Sequence, residues 1–403
     1  MKILFCHNYY QQAGGEGVVV ANEMAMLKDH GHDVQLYSTS NNQIIGFWQK
    51  LQVSLRLTHS SFHKKELKKH IQQFSPDIVH VHNFFPLLTP AVFDACNELN
   101  IPVVHTLHNY RLLCPSATLF INGKSNTESI NKNAYAMVKY KAYKNSFFGT
   151  FLLARAIEKY KKNNIWHNKV DQFIAPSSAL KSIYMNAGFH TDKITVKPNF
   201  IQVPSSIKKI VSTSNKQQEK QYESNPSTVK YAIYIGRLVE EKGIKTLLSS
   251  WKSSDIELRV YGSGPLEYLF DSNVNSTLAN ISYFGEVAKK EAMLALASAQ
   301  YLIMPTLWQE PFGLVTIEAL AQGIPVIASN IGAMPEIITH NENGLLFEPS
   351  NNNDLRNQID IMKCDNKRDI MSHKALDSFQ GKFSASVNYP KLLAIYQDII
   401  ARK

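Results

Sequence analysis

The stretch from Pro305 to Ser329, Pro-Thr-Leu-Trp-Gln-Glu-Pro-Phe-Gly-Leu-Val-Thr-Ile-Glu-Ala-Leu-Ala-Gln-Gly-Ile-Pro-Val-Ile-Ala-Ser, decides the fold. The apolar run Tyr301 to Met304 just before it has strand length and stops at Pro305. Pro311, good helix formers through Gln322, and Gly323 with Pro325 behind them supply the start and stop of a helix. Val326 to Ala328 reads as the next strand. Strand, loop, helix and strand in this order make a right-handed crossover of a parallel sheet, and such sheets bind ligands outside the carboxyl ends of their strands. Glu310 falls there. The free amides of Gly313, Leu314 and Val315 at the helix start carry roughly half a positive charge between them and suit a phosphate. Glu310 and Glu318 flank that position, and an ionised carboxylate accepts hydrogen bonds from a sugar diol. Acidic residues near a helix start can also do no more than complement its dipole, at about 0.3 to 1 kcal/mol each.

Working outward, the same alternation fills the chain. Lys2 to His7 reads as a strand, Ala-Gly-Gly-Glu-Gly at 13–17 as a glycine turn that either accepts an anion or only turns, and Val18 to His30 as a helix. Strands follow at Val34 to Tyr37, Ile78 to His82, Ile101 to Leu107, Val170 to Ala175 and Ile194 to Lys197. After Ile207 to Thr228, which is polar and aperiodic, strands resume at Val229 to Ile235, Leu258 to Tyr261 and Ile281 to Phe284. Two doubly wound α/β domains facing a cleft are the expectation. Their bounds are 1–200 and 229–385, with a linker at 201–228 and a last helix at 386–403. At 403 residues the chain suits two such domains.

The strand before Gly236-Arg237 sends Arg237 and Lys242 out at the carboxyl edge, where a guanidinium fork and a movable ammonium can both reach one diphosphate. They could also be ordinary surface charges. His80 and His82 share one strand face, and His105 and His108 end another, an arrangement that fits either buried hydrogen-bonded histidines or the metal centre of a hydrolase. No Asp-x-Asp pair of the kind that binds a metal beside a nucleotide diphosphate occurs. Arg237, Lys242 and helix N-termini can carry that charge without an ion, so no metal and no cofactor is expected.

The net charge of +10 is regional. Trp48 to Gln73 has six basic residues against Glu66, and Lys124 to Lys169 has ten against Glu128 and Glu158, interleaved with aromatics such as Tyr135, Phe147, Phe148 and Phe151. Basic amphipathic helices of this kind suit an anionic membrane surface. They also suit nucleic acid, for which no recognised binding motif is present, so nucleic acid is not expected as a partner. No apolar run reaches the roughly 18 residues of a membrane span, and the N-terminal run is too short for a signal peptide. A cytoplasmic enzyme, peripheral on the inner face of the membrane, is the expectation. Four scattered cysteines suggest reduced thiols.

Glu310 and Glu318, in Glu-Pro-Phe-Gly-Leu-Val-Thr-Ile-Glu-Ala, resemble the donor-site motif of GT-B glycosyltransferases, specifically glycosyltransferase family 4. The resemblance extends to Gly14-Gly15, His80-Val-His82-Asn83, Thr106-Leu-His108-Asn through Leu-Cys-Pro115, Pro198-Asn199 and Gly-Arg followed by Glu-Lys-Gly. It implies that Gly15 approaches the donor phosphate and that Arg237 and Lys242 hold the diphosphate. Gly262 and Val287 would belong to the base and ribose pocket. His108 would lie beside the transferred sugar, Glu310 on that sugar's hydroxyls and Glu318 on the ribose diol. The implied reaction is retaining, metal-independent transfer of a hexosyl unit from a nucleotide diphosphate sugar, UDP favoured over GDP on family frequency. The acceptor would be a lipid-linked saccharide in bacterial surface polysaccharide synthesis. A UDP-sugar epimerase of the same fold is the nearest enzyme alternative, which the Glu310/Glu318 motif disfavours. Cysteines that follow Leu-Cys-Pro in many relatives are missing from Gly123-Lys-Ser-Asn-Thr-Glu, so a metal or disulfide knuckle is not carried over.

Overall fold

Apolar runs closed off by Gly and Pro become strands covered on both faces, as a parallel sheet requires. The computed structural model describes residues 1–11, 14–202, 229–271 and 280–403. The side chains of Phe47, Trp48, Lys50, Leu51 and Leu55, on which part of the amphipathic reading rests, lie outside the described part, as does the expected linker except Ile201 and Gln202. The chain forms two units, Met1–Phe200 with Ala385–Lys403, and Ile201–Ser384.

In the first unit β1 (Lys2–Tyr9), β2 (Asp33–Ser40), β3 (Ile78–Asn83), β4 (Val103–Thr106), β5 (Gln172–Ala175) and β6 (Ile194–Val196) form one sheet in the order β2-β1-β3-β4-β5-β6. Every pairing is parallel. The helix α1 (Gly15–Asp29) follows β1 and buries Val19, Val20, Glu23, Met26 and Leu27. It starts a turn earlier than Val18, because extended Gly14 serves as its N-cap. The order of strands reverses between β1 and β3, where the loops after both strands meet: Asn83 Nδ2 donates to the Asn8 carbonyl at 2.7 Å and Leu87 N to Asn8 Oδ1 at 3.1 Å.

The second unit repeats the plan with β7 (Tyr231–Ile235), β8 (Glu257–Tyr261), β9 (Ile281–Gly285), β10 (Tyr301–Met304), β11 (Val326–Ser329) and β12 (Gly344–Phe347), in the order β9-β8-β7-β10-β11-β12, again all parallel. Sequence patterning did not single out β12. Its four residues lie between Asn-rich turns, and only pairing with β11 identifies them as a strand. The helix α2 (Leu314–Leu320) is shorter than the Pro311–Gln322 pattern predicts. Gly313 sits at φ +87°, a left-handed residue that a right-handed helix cannot include, so the helix begins after it.

The helix α3 (Ala385–Ala401) belongs to the first unit, where Leu392, Ile395, Tyr396 and Ile399 pack with Ile3, Phe5, Val20, Ile78 and Val104. Cys6, Cys96 and Cys114 are buried free thiols and Cys364 is exposed.

Candidate functional site

In the second unit the strand order reverses between β7 and β10, the position at which doubly wound sheets bind ligands. The loop after β7 carries Arg237 and Lys242; the loop after β10 carries Thr306, Trp308 and Glu310. The two loops are fastened together. Leu307 N donates to the Glu241 carbonyl at 2.8 Å, and Thr306 Oγ1 donates to the same oxygen at 3.2 Å. Gly243, at φ +71°, lies so close that a Cβ there would come 1.7 Å from the Pro305 carbonyl oxygen.

This fastening brings Lys242 and Glu310 into contact. Lys242 Nζ lies 2.5 Å from Glu310 Oε2, Trp308 Nε1 donates to the same oxygen at 2.8 Å, and Thr306 Oγ1 approaches it at 3.5 Å. Glu310 is 7 % exposed, so its carboxylate takes its hydrogen bonds from within the protein. All three meet Oε2, which leaves the lone pairs of Oε1 for a further donor such as a sugar hydroxyl. Trp308 and Thr306 were not anticipated. An indole and a hydroxyl two and four residues before a carboxylate carry no periodic signal, and only the loop's curl aims them at it.

Glu318 is buried on α2, and Lys289 donates to both of its oxygens at 2.6 Å. Lys289 was also missed. Its side chain is 58 % exposed and reaches Glu318 from the helix after β9. Arg237 does not join Lys242 and Glu310; its guanidinium is largely exposed and lies 3.5 Å from Glu241. Gly313 caps α2, and Leu314 and Val315, its first residues, are half-buried against the core. Gly262 N donates to the Gly285 carbonyl at 2.7 Å and joins the loops after β8 and β9, and Val287 packs beside that core.

In the first unit Gly15 is the exposed first residue of α1. His108, in the loop after β4, is half-buried, with Nε2 2.9 Å from His82 Nδ1. Burial, the largest cause, holds its pKa well below the ordinary imidazole range. Behind it lie His82, His80, Glu23 and Lys197, all buried. Glu23, His80 and His82 converge closely enough to ligate a metal. The countercharge is already there: Lys197 Nζ lies 2.9 Å from Glu23 Oε1. Burial alone would raise the Glu23 carboxyl, but Lys197 and His82 overcome it and hold the group well below the usual carboxylate range. Beside His108 a cavity of about 20 Å³, lined by Tyr10, Asn83, Asn109 and Arg111 among others, has room for about one water and none for a sugar ring.

The basic stretches fold as helices that split their charge. Lys64 and Lys68 both pair with Glu98, an acid from outside the run, so this face is less cationic than its own sequence suggests. Phe147, Phe148 and Phe151 begin the helix Phe147–Lys162 and are 61 %, 63 % and 42 % exposed, beside exposed Lys141 and Lys144. Among the described residues no helix is long and apolar enough to cross a membrane.

Residues 13–203 match the family model described as Glycosyltransferase Family 4, and residues 215–377 match Glycosyl transferases group 1. An uncharacterized glycosyltransferase of Methanocaldococcus jannaschii is 23 % identical over 99 % of both chains. The alpha-monoglucosyldiacylglycerol synthase of Streptococcus pneumoniae is also 23 % identical, over 85 % of this chain and 74 % of that one. Among solved structures, Anabaena HepE in complex with UDP-glucose superposes with a TM-score of 0.64 at 17 % identity, covering 98 % of this chain and all of that one.

Proposed function

This chain belongs to glycosyltransferase family 4, and on that premise we propose that it is a retaining hexosyltransferase. In this reading it moves the sugar of a nucleotide diphosphate sugar, UDP-linked, to a lipid-linked saccharide acceptor at the membrane face in bacterial surface polysaccharide synthesis. The observation that carries the reading is the convergence of Lys242, Trp308 and Thr306 on one oxygen of Glu310 at the strand-order reversal of the second sheet. A carboxylate fixed at Oε2 offers Oε1 to a sugar hydroxyl, and the Lys242 ammonium beside it can turn to the diphosphate. Arg237, exposed and weakly held, is assigned to the same diphosphate, with the amides of Gly313, Leu314 and Val315. Gly262 and Val287 are assigned to the base and ribose. The UDP-glucose complex of HepE supports a UDP donor, and the diacylglycerol-type product of the pneumococcal synthase supports a lipid acceptor.

His108 is proposed to lie beside the transferred sugar and Gly15 beside the donor phosphate. The leaving phosphate oxygen is proposed to help deprotonate the acceptor on the same face, with the two cations in place of a metal. Persistence of transfer in EDTA checks that last point. Docking to the membrane is assigned to the exposed Phe147, Phe148 and Phe151 among lysines, since aromatic rings suit the interface and each nearby lysine adds about 1 kcal/mol on an anionic surface.

The test separates the two acids. Glu318→Gln should weaken free UDP, because a ribose contact is made in the ground state. Glu310→Gln should lower kcat with free UDP affinity nearly intact, by about ten- to more than a hundredfold for one charge-assisted hydrogen bond of roughly 1.5 to 3 kcal/mol. Calorimetry with UDP and turnover by mass analysis of a glycosylated lipid decide it. Equal loss of UDP affinity in both variants would remove the assignment.

A further inference from the structure

His80 and His82 lie on the same face of β3, and Glu23 comes to them from the apolar face of α1. Both oxygens of Glu23 are reached by charge contacts rather than by well-aligned hydrogen bonds. Lys197 Nζ is 2.9 Å from Oε1, His82 Nε2 is 3.3 Å from Oε2, and His80 Nδ1 is 3.6 Å from Oε2. Glu23 is fully buried and Lys197 is 1 % exposed. A buried ion pair costs several kcal/mol per ion to desolvate, about as much as it returns, so stability alone is a weak reason for this one. What distinguishes it is where it leads. His82 Nδ1 is 2.9 Å from His108 Nε2, the two ring planes lie 25° apart with centroids 5.2 Å from each other, and His108 is the group proposed to lie beside the transferred sugar.

We propose that Glu23, acting through His82, fixes the tautomer of His108 so that its Nδ1 is a hydrogen-bond acceptor toward a hydroxyl of the bound sugar. The direction follows from the chain of contacts. An unprotonated His82 Nε2 would aim its lone pair at a carboxylate oxygen 3.3 Å away, so the proton sits on Nε2. With that one proton on Nε2, Nδ1 is the acceptor, and it receives the Nε2–H of His108 at 2.9 Å. With Nε2 of His108 donating to His82, its remaining nitrogen, Nδ1, carries the lone pair. His80 is held separately between Tyr396 Oη and Thr106 Oγ1, each at 2.7 Å, and does not interrupt the path. Glu23 and His82 are positioning residues. Lys197, which has only donor hydrogens, keeps the carboxylate ionised and fixes which oxygen faces His82.

Glu23→Gln keeps the shape and reverses the polarity. The amide oxygen must face the Lys197 ammonium, so the amide NH₂ faces His82 Nε2 and donates to it. The proton of His82 then moves to Nδ1, His108 accepts at Nε2, and its Nδ1 becomes a donor. The inference rests on the proposed role of His108, and the experiment separates the two. In the unaltered full-length chain labelled with ¹⁵N-histidine, long-range ¹H–¹⁵N correlation reads each tautomer directly. Nε2–H at both His82 and His108 is expected, with Nδ1–H at both in Glu23→Gln and a fall of at least tenfold in kcat/KM for the donor at unchanged UDP affinity. Nδ1–H on His108 in the unaltered protein overturns the proposal without any variant having to fold. So does a folded Glu23→Gln whose tautomers and turnover match the parent. If the tautomers are as expected but His108→Ala transfers at the parental rate, the relay stands and the role given to His108 falls.

Discussion

At the residue scale, the two acids of the second unit are each held by a lysine of different character. Lys242 is largely buried with Glu310, whereas Lys289 reaches Glu318 from a side chain that is mostly in water. Lys289 regains full hydration when it lets go, so a ribose diol can displace it from the buried Glu318 carboxylate by taking over its hydrogen bonds. Lys289→Ala is therefore expected to shift UDP affinity by less than about fivefold, which calorimetry reads. A loss as large as that of Glu318→Gln would make Lys289 a ligand contact in its own right. Glu16, half-buried beside Gly15, gives a pH signature. Burial raises its pKa from 4.5 to about 7 against a hydrogen bond from Asn109 and the nearby Arg111. The folded state then holds one more proton than the unfolded state between those values, so this group's contribution to stability falls as pH rises through that window and is constant above it. Glu16→Gln is expected to gain stability relative to the parent at pH 8 and not at pH 4, as measured by urea unfolding at both pH values.

At the element scale, α3 carries more of the first unit than its place at the end of the chain suggests. Leu392, Ile395, Tyr396 and Ile399 complete the core under β1, β3 and β4, Tyr396 Oη bonds His80, and Tyr389 Oη lies 2.9 Å from His32 Nε2. Each fully buried large apolar side chain contributes about 1.5 to 3 kcal/mol, and loss of four exceeds the whole margin of many domains. Truncation before Tyr389 is expected to leave the first unit insoluble or to lower its thermal transition by more than 10 °C, read by calorimetry. An active, equally stable truncated chain would show that this packing is dispensable. Loops are decided at this scale too: the glycine that lets the β7 loop touch Pro305 brings Lys242 to Glu310.

At the scale of the whole molecule, the positive charge is concentrated on stretches of the first unit, with exposed phenylalanines at the start of one helix. Binding to vesicles with anionic lipid is expected to fall steeply with salt, and Phe147→Ser with Phe148→Ser should weaken it at all salt concentrations, read by cosedimentation. Vesicle binding indifferent to lipid charge and salt would count against the membrane assignment. The sequence by itself determined the doubly wound class and most strands, because apolar runs of four to six residues ending in Gly or Pro signal buried parallel strands locally. It also determined Glu310, Glu318, Arg237, Lys242 and His108 as candidates, since each follows a strand's carboxyl end or a helix start. The tertiary structure alone decided what those groups touch. Trp308, Lys289, Glu23 and Lys197 come to their partners from other elements or from loop curvature. A carboxylate on the apolar side of α1, spaced with Val19, Val20, Met26 and Leu27, was the one local sign of the buried network. Patterns along a chain report what faces the core; they do not report which side chains from distant segments share an oxygen, because that depends on strand order and on close approach of backbones.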